Sequence, residues 1–496
     1  MTPKFERRRA MPTSSLHVLA EAVNYAPLTS TLPPAIAAKL PDALEAACEG
    51  GEGSSWAHAI RRRIMPSNNN NKTAHTHLRV GILGCSTTAG CGAKAPSPFC
   101  APQLSWGRHA HDALVAARNH SVHTHIFSKN AVEAEFFWDC TANLLPPGRV
   151  DVVILEVLEN VYSWPFALLV NATVAAINRA APHASIAFIG WDKLPNLSKH
   201  NKGAAKGNER LVPEMRAAVL GHSAGLGLIN VPLGLHALSL NVSTAYAQTA
   251  HGKYDHHPNG FGHELIGRLT AGCVARWLGR QKATSTSVGG GGDDTLALDS
   301  GRLASWSSEQ CYNTAGKMPV TRKVGFELID DGGAKGVAKP GYASTTPGDL
   351  LVIGPLSLHA GAHGWCWRKV RVRFGYLVAT NPMQGALRLD CHGSCVCRGI
   401  KSRWLRANLP FPVLETNVHT LRQHKAAVGF YAERSDNVAM TSFTTFIAEL
   451  RNGTEPCDLH VTHVRGGKPA NASRVRVDSL AFMGPHGGPE TGRVIC

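Results

Sequence analysis

The sequence lacks any apolar run of the ~18 residues that a membrane-spanning helix needs, so no helical span is expected. It also lacks long runs of one charge. The only tight basic runs are Arg7 to Arg9 and Arg61 to Arg63, and no nucleic-acid motif accompanies them. The net charge of +16, from 51 Lys and Arg against 35 Asp and Glu, is therefore read as a solvated surface suited to acidic glycans, not as a nucleic-acid footprint. The amino-terminal stretch "MTPKFERRRAMPTSSLHVLAEAV" has no apolar core of the signal-peptide kind. Nor do residues 281–294, "QKATSTSVGGGGDD", offer anything to bury, which marks a linker.

What is present points to a secreted or lumenal folded protein. At 496 residues the chain is too long for one core, so two domains plus tails are expected. Thirteen cysteines cluster at Cys85, Cys91 and Cys100 and again at Cys391, Cys395 and Cys397. Seven Asn-x-Ser/Thr sequons stand at Asn71, Asn119, Asn171, Asn196, Asn241, Asn452 and Asn471. Together they favour an oxidising, secretory compartment. Cys391, Cys395, Cys397 and His392 invite a zinc reading, but their spacing fits no standard finger; with Cys457 in the same region, disulfides are expected. No metal and no cofactor is called for.

Patterning divides the chain into a partly helical or disordered leader (1–75), an α/β body (76–280), a linker (281–300) and a β-sandwich (301–496). In the body, "LRVGILG" (78–84), "VHTHIF" (122–127), "VDVVILEVL" (150–158), "ASIAFIG" (184–190) and "GLGLINV" (225–231) read as strands. Helices are expected around 105–118, 163–181, 208–220 and 262–278. That alternation predicts a parallel sheet covered on both faces. Beyond the linker, "KVRVRFGYLV", "ALRLDC", "LHVTHV" and "SRVRVDSLAF" alternate as strands do.

Chemistry concentrates where such a sheet binds ligands, off the carboxyl ends of its strands. The first strand ends in "GCSTTAGCG", which leaves Ser86 at that edge. Asn160 follows the third strand, and "YDHHPNGFGHELIG" (254–267) sets Asp255, His256 and His257 on a loop before the last helix. Three blocks in this order resemble the SGNH (GDSL-type) hydrolases, over residues 78–280: Gly84-Cys85-Ser86, Asn160 after "DVVILEVLE", and His257-Pro258. The β-rich second half resembles the domain attached to such hydrolases in some algal proteins. The resemblance implies a three-layer α/β/α fold followed by a β-sandwich suited to binding carbohydrate. It further implies Ser86 as nucleophile, His257 as base, and an oxyanion hole from the Ser86 and Asn130 backbone N–H groups and the Asn160 amide.

Departures from the family pattern are equally visible. Cys85 stands where the family has Asp, Asn130 where it has Gly, and Tyr254 where the acid belongs, leaving Asp255 two residues before the base. An Asp at i−2 on an extended segment points the same way as the His and is the candidate partner; without it the site is a Ser–His dyad. Structural readings stand beside the chemical ones: Ser86 as a turn residue, Asn160 as a helix cap, and His256, His263, His109/His111 and His123/His125 as surface or packing residues. The expected function is a serine esterase acting on acyl, foremost acetyl, groups of a small molecule or polysaccharide. An O-acetyltransferase using the same serine, and an inactive fold kept for glycan binding, are the alternatives.

Overall fold

The computed structural model describes residues 32–51, 78–94, 100–118, 122–129, 135–145, 150–157, 166–182, 184–191, 211–240, 242–248 and 254–279 of the first half. In the second half it describes 308–312, 317–330, 340–356, 365–379, 386–398, 404–406, 439–451, 455–464, 474–485 and 493–495. The 281–300 linker and all sequons except Asn171 lie outside the described residues.

The apolar run that opens the body forms strand β2 (Leu78–Gly84), and it is central. It pairs in parallel with β3 (Val122–Ser128) on one side and β4 (Val152–Glu156) on the other. Strands β5 (Ser185–Gly190) and β6 (Gly227–Asn230) extend the parallel sheet from β4. A short strand, β1 (Cys48–Gly50), closes the far edge antiparallel to β6, giving the order β1-β6-β5-β4-β2-β3.

Such strands need apolar residues on both faces, since neither face meets water. Val80, Ile82, Val152, Ile154, Ala187, Ile189 and Ile229 pack into one core, while Leu83, Val153, Leu155, Ile186, Phe188 and Leu228 pack into another. The first core is roofed by helices α1 (Pro34–Ala38), α2 (Leu40–Ala47), α3 (Trp106–Arg118), α7 (Val231–Ala237) and α8 (Gly260–Gly279). Helices α4 (Glu135–Leu144), α5 (Phe166–Ala180) and α6 (Leu211–Leu220) cover the second. The expected three layers are all present. From β2 the chain steps outward to β3 and then back across to β4, so the crevice for a ligand opens at the carboxyl ends of β2 and β4.

Part of the segment read as a leader belongs to this body. Helices α1 and α2 pack on the first core, β1 joins the sheet, and a Cys48–Cys273 disulfide ties that edge to α8. A bridge across 225 residues stabilises by about 5 kcal/mol in the chain-entropy picture. The Asn171 sequon falls inside α5, with Asn171 half-buried and Thr173 fully buried.

The second half is a sandwich of two antiparallel sheets. One runs β10 (Val320–Val324), β13 (Leu350–Ile353), β20 (Asp458–Val464), β16 (Ala386–His392), β18 (Trp404–Arg406); the other runs β11 (Glu327–Asp330), β12 (Pro340–Ser344), β21 (Val475–Pro485), β15 (Lys369–Ala379), β19 (Ala439–Leu450), β17 (Cys395–Arg398), with β9 (Ser308–Tyr312) also on β21, and a short pair, β14 (Trp365–Trp367) with β22 (Arg493–Ile495), stands beside them. Leu351, Ile353, Leu387, Leu389, Leu459 and Val461 of the first sheet meet Val370, Val372, Phe374, Phe446, Val477 and Phe482 of the second in one core. Buried and half-buried residues alternate strictly along β20 (Asp458–Val464). The 391–397 cysteine cluster is oxidised as expected, into Cys391–Cys397 and Cys395–Cys457.

The two halves touch beside the ligand crevice. A Cys140–Cys311 disulfide joins α4 to β9. Lys129, just past β3, lies 4.4 Å over the Phe136 ring of α4; burial pushes its ammonium down to about 8, and the opposing pull comes from Asp478 of β21. One consequence is directly measurable. Proteolytic nicking between residues 274 and 310, outside the loop closed by Cys48–Cys273, should give fragments that migrate together until a reductant is added. Fragments that separate without reductant would rule out this bond.

Candidate active site

The turn after β2 is built from small residues because it is folded tightly on itself. The Ala89 N–H donates to the Cys85 carbonyl at 3.1 Å, Gly90 N–H to the Thr87 carbonyl at 3.0 Å, and Cys91 N–H to the Ser86 carbonyl at 3.0 Å. Gly90 (φ +77°) and Gly92 (φ +87°) sit in the left-handed region. A side chain at Gly92 would come within 2.7 Å of the His257 Cβ and 2.4 Å of the Pro258 carbonyl oxygen. The Cys91–Cys100 disulfide closes the outer rim of the loop. Cys85 keeps its thiol, buried in the second core, so it braces nothing covalently.

The His-Pro segment proves to be a strand and not a loop. β8 (Tyr254–Pro258) pairs antiparallel with β7 (Tyr246–Gln248). Directly after it, Asn259 caps α8: its side-chain oxygen accepts from the Gly262 N–H at 2.8 Å, and its amide donates to the Thr244 and Tyr246 carbonyls. That cap fixes the chain where it leaves His257. His257 is 5% exposed, and its Nε2 lies 2.9 Å from the Ser86 Oγ across 171 residues of sequence. Thus two of the five residues singled out in the sequence meet at hydrogen-bond distance. Asp255 lies on β8 two residues before His257, but its side chain is outside the described residues, as are Asn130 and Asn160 altogether.

Behind Ser86 stands a polar network that the sequence reading missed. Glu156, the last residue of β4, is 1% exposed. Its Oε2 accepts from the Cys85 N–H at 2.9 Å, the Thr88 N–H at 3.1 Å and the Thr88 hydroxyl at 2.8 Å. The Thr88 oxygen in turn accepts from the Trp106 indole N–H at 3.2 Å. Trp106 is the first residue of α3, and its own backbone N–H, one of the unsatisfied donors of a helix start, donates to Nδ1 of His263 at 3.1 Å. The other His263 nitrogen then carries the proton and donates to the Cys91 carbonyl at 3.1 Å. One signal for this network was visible in the sequence: a lone carboxylate inside the apolar run "VVILEVL".

His263 is therefore a packing residue, as expected, with both ring nitrogens engaged. His111 and His125 also serve packing, through Thr124 Oγ1 and the Leu144 carbonyl. Burial drives the His263 imidazole down to about 3, against the hydrogen bond to Cys91; His109 and His257 add smaller pushes the same way. A proton on Nδ1 would face the Trp106 N–H, so the folded chain keeps this ring neutral. In the unfolded chain the ring titrates near 6.5. Below that pH the unfolded chain takes up a proton that the folded chain refuses, so stability falls by about 1.4 kcal/mol per pH unit until about pH 3. Replacing His263 with Gln, which keeps one acceptor and one donor, should flatten the decline of Tm between pH 6.5 and 4. Parallel declines for both proteins would refute the neutral, buried ring.

No protein-family model matches the sequence, and no curated protein does. Solved structures do match. A two-domain esterase active on acetylated mannans is similar to this chain with a TM-score of 0.52 at 12% identity, covering 89% of this chain and 99% of that one. The same esterase crystallised with mannopentaose gives 0.51 at 12% identity, with the same coverage. A carbohydrate acetylesterase from Sinorhizobium meliloti matches 40% of this chain and 98% of its own length, at 14% identity and a TM-score of 0.28. With the two-domain esterase the likeness spans both halves, and at that identity it concerns architecture: the chain has an SGNH-hydrolase-like α/β/α domain followed by a β-sandwich.

Proposed function

We propose that this chain is a serine esterase that removes acyl groups, acetyl foremost, from glycans. The carrying observation is the 2.9 Å approach of Ser86 Oγ to His257 Nε2 at the sheet's switch point. Nothing in the packing of a sheet requires that contact, which counts against an inactive fold kept only for binding.

In the proposed reaction the Ser86 oxygen bonds to the ester carbonyl carbon while its proton passes to His257 Nε2. The carbonyl oxygen becomes an oxyanion. The Ser86 N–H donates to no acceptor among the described residues and suits this charge. We assign the remaining donors to the Asn130 N–H and the Asn160 amide, each worth about 3 kcal/mol of barrier. The carbon–oxygen bond to the sugar then breaks, and the imidazolium returns its proton to the departing sugar oxygen. Water repeats the sequence on the acyl-serine: it gives a proton to Nε2, its oxygen bonds to the carbonyl carbon, and the acid leaves as Ser86 regains a proton. Asp255 takes the orienting role at the imidazole, fixing its tautomer and stabilising the positive ring.

Three facts support glycans as the acyl carriers. The similar two-domain esterase acts on acetylated mannans. A β-sandwich follows the hydrolase-like sheet, and the likeness to that two-domain protein covers 89% of this chain. The net charge of +16 suits an acidic polysaccharide. The disulfides support an oxidising, secretory compartment for this reading.

Turnover of p-nitrophenyl acetate and release of acetate from acetylated mannan test the proposal. Ser86→Ala and His257→Ala should each lose activity by orders of magnitude with the fold intact. Asp255→Asn should lower kcat by about 10⁴-fold with KM little changed. Undiminished turnover in Ser86→Ala would end the esterase reading. Near-full activity in Asp255→Asn, with His257→Ala inactive, would leave a Ser–His dyad.

A further inference from the structure

Resting on the esterase reading, we propose that Glu156 is a positioning residue that aims Ser86 through the backbone on both sides of it. Its Oε2 receives three hydrogen bonds, and all three come from the nucleophile turn: Cys85 N–H before Ser86, and Thr88 N–H and hydroxyl after it. The Cys85 N–H is shared with the Glu156 backbone carbonyl at 3.3 Å, so the start of the turn is held twice by one residue of the neighbouring strand. Between the gripped positions, the Ser86 N–H is left without an acceptor among the described residues, and the Ser86 hydroxyl meets His257. The carboxylate thus collects the flanking donors and leaves the one required by an oxyanion.

The packing leaves this grip little slack. A side chain on Gly84 would lie 2.7 Å from Glu156 Oε2 and 1.8 Å from Thr88 Oγ1, so the strand end, the carboxylate and the threonine are in close contact. Thr88 is 1% exposed, and its hydroxyl proton is committed: it donates to Glu156 because the Trp106 indole N–H already donates to it. With Trp106 in turn held by His263, the grip is referenced to α3 and α8, not to the loop alone. A displacement of about 1 Å at a reacting atom costs on the order of 100-fold in rate, so a residue that touches no substrate still governs turnover.

The experiment uses the full-length chain and two readouts: steady-state kcat and KM on p-nitrophenyl acetate, and the rate and final stoichiometry of fluorophosphonate labelling at Ser86. Glu156→Ala should lower kcat about 100-fold with KM within about twofold, and should label slowly but to full stoichiometry. A residue needed only for folding would instead lower the labelled fraction and leave the rate of the remainder unchanged. Glu156→Gln, whose amide oxygen can take the place of Oε2, should recover most of the loss. Should Glu156→Ala fail to fold, Thr88→Val removes one of the three donors at nearly constant volume. It should lower kcat about tenfold, a smaller misplacement of the serine than loss of the whole carboxylate, with Thr88→Ser restoring it. Wild-type kcat and labelling rate in folded Glu156→Ala, or in Thr88→Val, would overturn the inference while leaving the esterase reading intact. A wild-type protein that neither labels at Ser86 nor turns over would overturn both.

Discussion

A carboxylate buried to 1% exposure at the end of a central strand must be surrounded by donors, because charge removed from water without partners is costly. Glu156 meets that demand with donors drawn from the turn that carries Ser86. Its desolvation and the conformation of the turn are therefore one problem with one solution. The turn gives its N–H groups to the carboxylate, and the carboxylate gives the turn a fixed shape. Parallel pairing sets the distance: Gly84 lies opposite Glu156 in the β2–β4 register, so the residues that follow Gly84 arrive within reach.

The far end of the turn is held by a different chemistry. There the anchor is a neutral imidazole, His263, which accepts from a helix start and donates to a loop carbonyl. Charge at that position would meet the Trp106 N–H, so neutrality is a geometric requirement of the donor arrangement. Trp106 connects the two anchors, since its indole N–H reaches Thr88 and its backbone N–H reaches His263. The disulfide at Cys91–Cys100 and the close approach of Gly92 to His257 then link this turn to the His257 segment. Ser86 and His257 meet across 171 residues where the turn after β2 packs against β8 at Gly92.

Elements with strong local signals were legible in the sequence. The parallel strands announce themselves as apolar runs, and α8 as a row of Leu265, Leu269, Cys273 and Trp277 at helical spacing. Helix α4 was not, because "EFFWDCTANL" crowds aromatics that favour strands; it is a helix because Phe136 and Phe137 fill the second core. The segment 34–50 was read as a leader because its partners, β6 and Cys273, lie far along the chain. Ser86 and His257 could be named because small residues after a buried strand, and a His-Pro before a helix, are conspicuous. The supporting network was hidden for the opposite reason: Thr88, Trp106 and His263 each have ordinary structural uses, and their joint role exists only in three dimensions. The same holds in the sandwich, where the Ser344 hydroxyl meets both His463 Nδ1 and Asp349 Oδ2 and so pins one sheet to the other.

Glu156 also gives a physical account of Cys85, one of the departures from the family pattern. Position 85 is 1% exposed and its side chain packs in the core that holds Leu83, Phe136, Phe137 and Cys140. Its backbone N–H is already 2.9 Å from the Glu156 carboxylate. An Asp at 85 would bring a second buried carboxylate beside the first, and like charges at such range force one of them to bind a proton or leave. A thiol avoids this: it is small, tolerates apolar surroundings and makes no demand for a partner charge. In this chain the carboxylate stands on the neighbouring strand, where it reaches the N–H groups of Cys85 and Thr88 on both sides of the serine. Read this way, the cysteine follows from the glutamate, and the departure at 85 is not by itself a mark of lost activity.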